Sequence, residues 1–211
     1  MWAQREQRDL LATMRAAGPE APTLCEGWLT RHLAAHLYLR GHRPWALARG
    51  ADAATDELAD TLTGADAYER VLADFAGRGP GLSGLPALPL VGARLDDTAN
   101  HLEYLVHHED VRRGGDAPAG PRELDAAQER AIWDSVVQLG RLAYRRAPVG
   151  VVLLWPGGRR AQVRRDSDSV VLVGAPVEQA LWAFGRRDHA DIRLEGEAHS
   201  VARMQDWARG V

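Results

Sequence analysis

The residues best placed to do chemistry lie in NHLEYLVHHEDVRR, positions 100–113. Each residue of an α-helix advances ~100° around the axis. With Glu103 at zero, His107 lies ~40° away, Asp110 at about −20° and Asn100 at ~60°. Ala99, Leu102 and Val106 flank this group on one side, and Tyr104 and Val111 on the other. His101, His108 and Arg112 are expected on the opposite, solvent-facing side. An ionised glutamate turned toward a core is costly unless it is paired or bound to a metal. A carboxylate and an imidazole at i, i+4 project side by side and can chelate one ion.

A second segment, TRHLAAHLYLR at 30–40, repeats the logic. Leu29, Leu33, Leu37 and Leu39 surround His36 within ~100°, so His36 faces inward, with His32 one turn earlier on the same face. His36, Glu103 and His107 together would leave an open coordination position, the pattern of catalytic rather than structural zinc. Spacing alone keeps other readings open. Glu-x-x-x-His is common on helices by chance, and a lone inward histidine is usually a hydrogen-bonded core residue. His32 with His36 forms a rival chelating pair. His32, Asn100 and Asp110 are the candidates for a fourth ligand, or for groups that orient the ligands from behind. Cys25 sits in a loop beside Glu26, without a cationic neighbour in sequence to activate it, and reads as a structural residue rather than a nucleophile.

These residues need helices to position them. The first helix reads from Trp2 to Ala17 and stops at Gly18-Pro19. A second runs from an N-cap at Thr30 to about Arg40, with Gly41 and Pro44 as punctuation. A third covers 66–76, and the breaker-rich stretch 77–92 reads as a loop. A fourth covers 95–113 and ends at Gly114-Gly115. A fifth runs from Pro121 to about Arg146. The last third changes character: β-type runs at 149–155, 160–165 and 169–174, a helix over 176–184, a strand over 190–194 and a closing helix over 200–209. The expected fold class is α+β, with a helical bundle over 1–147 and a small β-rich α+β domain over 148–211.

Composition narrows the chemistry. The chain has 211 residues, and all 26 of its basic residues are arginine. The absence of lysine excludes Schiff-base catalysis and the P-loop lysine. A net charge of −3 gives no reason to expect a nucleic-acid partner. There is no Gly-x-Ser-x-Gly and no dinucleotide fingerprint. One cysteine excludes an intrachain disulfide. With no long apolar run and no recognisable signal peptide, the chain is expected in the cytoplasm, off the membrane.

TLCEGWLTRHLAAHL (23–37), NHLEYLVHHEDVRR (100–113) and GAPVEQALWAFGRRDHADIRLEG (174–196) resemble a largely actinobacterial family of metal-binding proteins. That family is related to mycothiol-dependent maleylpyruvate isomerase and to the DinB-like superfamily. The resemblance spans nearly the whole chain. It implies an up-down four-helix DinB-like bundle followed by the small C-terminal domain. It also implies a divalent metal, usually zinc, on His36, Glu103 and His107. His32 is a departure, since such proteins often carry aspartate there. The isomerase's substrate-binding residues do not map onto this chain.

The resulting expectation is a metal-dependent isomerase or transferase that uses a small-molecule thiol such as mycothiol against an electrophilic substrate. Such a protein would act as a monomer or homodimer. The competing expectation is a non-catalytic, metal-stabilised module that binds or senses a ligand. A third is a helical interaction domain with no metal.

Overall fold

The computed structural model describes residues 2–77, 91–115 and 118–209. Among them the chain forms eight α-helices and one four-stranded sheet, an α+β fold. It divides into two compact units, Met1–Arg122 and Glu123–Val211.

The first unit is helical. α1 (Trp2–Ala17) buries Ala3, Leu10, Leu11 and Met14 at helical spacing. It ends where Gly18, at φ 76°, donates its N–H to Met14 O. α2 (Thr30–His42) buries Leu33, Ala34, Leu37 and Leu39. α3 (Pro44–Ala59) begins on a proline at its first turn. Sequence reading treated Pro44 as a break, but a proline suits the first turn, where its missing N–H would have no partner. α4 (Ala65–Gly77) contributes Tyr68, Leu72 and Phe75, and α5 (Val91–Arg113) carries the chemistry-bearing segment. α1 packs on α4 and α5, and α2 on α3 and α4. Leu10, Met14, Leu33, Leu37, Leu72 and Phe75 share one core with Tyr104 of α5. Phe75 and Tyr104 meet edge to face at 5.6 Å.

The expected loop at 77–92 falls mostly on residues 78–90, outside the described residues.

The second unit holds α6 (Ala126–Ala143), β1 (Gly150–Leu154), β2 (Arg160–Arg164), β3 (Ser169–Val173), α7 (Pro176–Ala183), β4 (Arg193–Glu195) and α8 (Ala198–Arg209). The sheet order is β2-β1-β3-β4, with β1 and β3 parallel and both edge strands antiparallel. Val151 and Leu153 of β1 and Val170 and Leu172 of β3 are fully buried. α6 packs on α7 and β2. Sequence reading assigned this helix to the bundle and placed the boundary near 147, whereas the compact units divide after Arg122. The amphipathic pattern marks which face of a helix is buried, not which partner buries it. Asp125 caps α6, its carboxylate accepting from Ala127 N and Gln128 N, so the helix begins later than Pro121.

Candidate metal centre

α2 and α5 bring His36, Glu103 and His107 together, with one donor atom of each within 4.8 Å of the others. His36 Nε2 and His107 Nε2 stand 3.4 and 3.3 Å from Glu103 Oε1. The two imidazole rings meet nearly edge to face, 5.4 Å apart. Two ligands bound tetrahedrally at 2.0–2.1 Å would sit about 3.3–3.4 Å apart, so these separations suit a first-row divalent ion. The donor set, two imidazoles and a carboxylate, suits the same ions.

Electrostatics hold the cluster together. Burial pushes the Glu103 carboxyl up. Hydrogen bonds from His107 and His36, then the positive charges of His107 and Arg40, outweigh that and hold it well below the usual carboxylate range. Burial pushes His107 down. The hydrogen bonds to Asp110, Cys25 and Glu103 outweigh it and hold the imidazole well above its ordinary value. Arg40 Nε lies 3.6 Å from Glu103 Oε1. The Trp28 ring packs on His36 at 5.5 Å.

The remaining sequence candidates lie in different roles. Asp110 is fully buried, and its Oδ2 lies 2.8 Å from His107 Nδ1, on the side of the ring away from Glu103. His32 Nδ1 accepts the Leu29 N–H at 3.1 Å and caps the start of α2, so the expected Thr30 cap is replaced. His32 joins neither group of potential ligands among the described residues. Asn100 is fully buried, and its amide has no hydrogen-bond partner among the described residues. It too stands outside both groups.

The far side of α5 differs from its sequence reading. His101 and His108 are buried, not solvent-facing. His108 lies between Glu6 Oε1 and Thr13 Oγ1 of α1, each at 2.8 Å. Arg122 bridges Glu6 and Glu109, and Arg112 and Arg113 also pair with Glu109. The wheel treats polar residues as exposed. Here α1 brings Glu6 and Thr13 to meet His108, so the face of α5 away from the cluster is covered too.

Sequence reasoning missed three neighbours of the cluster. Arg40 follows His36 by one helical turn, a signal already present in the spacing. Trp28 and Cys25 lie in the loop before α2. Cys25 is half-buried and its thiol donates to Asp110 Oδ2 at 3.3 Å. That contact links residues far apart in sequence, and no local pattern announces it. Cys25, His107 and Asp110 form the second group whose donor atoms lie within 4.8 Å of one another.

The fold has solved counterparts. The chain superposes on the crystal structure of the mycothiol-dependent maleylpyruvate isomerase with a TM-score of 0.60 and 19% identity, covering 93% of this chain and 92% of that one. A histidine-to-alanine mutant of that enzyme gives a TM-score of 0.58 and 18% identity over the same shares. The chain shares their fold. No protein-family model and no curated protein matches the sequence. No described helix is long and apolar enough to cross a membrane.

Proposed function

We propose that this protein is a divalent-metal-dependent isomerase or transferase that uses a small-molecule thiol, mycothiol, to attack an electrophilic substrate. The observation that carries the reading is the convergence of His36 Nε2, Glu103 Oε1 and His107 Nε2 at separations suited to one ion. The likeness to the mycothiol-dependent isomerase supports the thiol.

His36, Glu103 and His107 would hold the metal, with zinc the first choice for this donor set. What a divalent ion supplies at such a site is a lower pKa for a coordinated thiol, so that a thiolate persists near neutral pH. The chain's own residues do the rest. Asp110 accepts the His107 Nδ1 proton, which leaves Nε2 as the ligating nitrogen and fixes the ring. Glu103 balances part of the metal's charge. Trp28 packs against His36 and restricts its ring. Arg40 places a positive charge beside Glu103, suited to an electrophile that carries a carboxylate.

The test is calorimetry of mycothiol against untagged protein, metal-loaded and metal-free. Binding to the loaded form alone supports the enzyme reading. A loaded site that binds no thiol favours the sensor module instead.

A further inference from the structure

We infer that Cys25 is a positioning residue for this site: its thiol, through Asp110, sets the aim of the His107 imidazole. The inference rests on the metal reading above and adds to it a residue from outside the ligand set.

The geometry is a fork at one oxygen. Asp110 Oδ2 lies 2.8 Å from His107 Nδ1 and 3.3 Å from Cys25 Sγ. The carboxylate is fully buried, so a donor that is lost leaves it short of a partner. An Asp side chain can turn about two bonds. A second donor approaching Oδ2 from the loop fixes that oxygen, and the oxygen fixes the ring. The Nε2 lone pair then points toward His36 and Glu103.

The loop is itself held against α5. Leu24 N donates to Asp110 O at 3.0 Å. Thr23 Oγ1 accepts from Cys25 N at 3.2 Å and lies 2.8 Å from Trp28 O. A Cβ on Gly114 would lie 2.3 Å from Thr23 Cα and 2.5 Å from Pro22 O, so only glycine admits this approach. Thus the backbone around Cys25 docks at the C-terminal end of α5, and the thiol meets Asp110 as a consequence. The same loop presents Trp28 to His36. One segment therefore touches both histidines of the proposed site.

A carboxylate behind a ligating histidine changes metal affinity by roughly 10- to 100-fold when it is perturbed. Cys25 acts through that carboxylate and through its own contact with the His107 ring. The alternative role for a thiol here is direct ligation with His107 Nδ1 and Asp110, since those donor atoms also converge. The two roles leave different spectra. A positioning thiol gives the ion no sulfur ligand, whereas a ligating thiol gives a thiolate-to-metal charge-transfer band.

The experiment is a cobalt(II) titration of the full chain, wild type against Cys25→Ala and Cys25→Ser, read by visible absorption and by competition with a chelator. The melting temperature of each metal-free protein monitors the fold. The expected result is one cobalt site in wild type without a thiolate band. In Cys25→Ala, affinity falls by roughly 10- to 100-fold and the visible bands shift. Cys25→Ser, which keeps a donor to Asp110, stays near wild type. Wild-type affinity and bands in Cys25→Ala overturn the inference and leave the metal reading standing. A thiolate band lost in Cys25→Ser overturns it in favour of direct ligation. A wild-type protein that takes up no cobalt overturns the metal reading and this inference together.

Discussion

His107 and Asp110 stand one helical turn apart on α5, with Nδ1 and Oδ2 at 2.8 Å and Asp110 wholly buried. One nitrogen of the ring is engaged from behind, and the other faces Glu103 at 3.3 Å. A metal ligand needs such a fixed tautomer and ring plane.

Replacing His107 by alanine removes one of three donors and leaves the buried Asp110 carboxylate with one donor fewer. Metal retention should be lost while the helices persist. His108→Ala should keep the metal, since its ring lies against α1, between Glu6 and Thr13. It should still unfold more easily, by about 1–3 kcal/mol, because Glu6 loses a buried partner. Metal analysis and urea unfolding of the two variants separate these outcomes.

The His107 imidazole, held above its ordinary value by Asp110, Cys25 and Glu103 against burial, fixes a pH dependence. A raised folded pKa gives stability that is complete below the unfolded value and is lost as pH rises through the folded one. The metal-free protein should therefore weaken as pH rises beyond neutrality. Metal requires the unprotonated Nε2, so affinity should rise over the same range and loading should release protons. Melting curves at several pH values, with and without metal, check both signs. A metal-free protein that gains stability with rising pH contradicts them.

Chelation should lower the melting temperature near neutral pH, and added metal should restore it. The shift should grow with the logarithm of free metal once the site is saturated. Calorimetric scans at graded metal concentrations measure this.

Glu6→Gln should destabilise the first unit by about 3 kcal/mol, since Arg122 and His108 both lose a buried anion. The Glu6 carboxyl is pushed up by burial but held below its usual range by the His108 hydrogen bond and the Arg122 charge. Its contribution is complete above the unfolded pKa and is lost as pH falls through the folded one. The variant should thus show a shallower acid transition than wild type, at unchanged metal stoichiometry.

Gly114→Ala should cost about 1–3 kcal/mol, because the clash falls on backbone atoms of Thr23 and Pro22 that cannot rotate away. The loop must then move off α5. Metal affinity should fall with stability, a pairing that chelator competition and denaturant unfolding would detect.

Helical periodicity made α1, α2, α4 and α5 legible, because each carries apolar residues at helical spacing, although α5 is covered on both faces. The wheel on 100–113 also placed Glu103, His107, Asp110 and Asn100 on one face. It failed where burial is polar. His101 and His108 followed no apolar pattern, and only α1, distant in sequence, shows why His108 is inside. α3 was hidden by a proline that starts a helix rather than ending one. His32 had the spacing of a ligand, but its ring turned to the Leu29 amide, a local bond that spacing cannot rank. The contact that Cys25 makes with Asp110 was hidden for a different reason. Its partner lies across a loop docking that depends on Gly114, and no one-dimensional pattern encodes that approach.

A divalent ion held between His36, Glu103 and His107 is tested most directly by elemental analysis of untagged protein after extensive dialysis, wild type beside Glu103→Gln and His107→Ala. Wild type should carry about one zinc-like ion per chain and either variant almost none, with helical content unchanged. Wild-type protein free of metal, or a His107→Ala variant at full occupancy, would contradict this assignment.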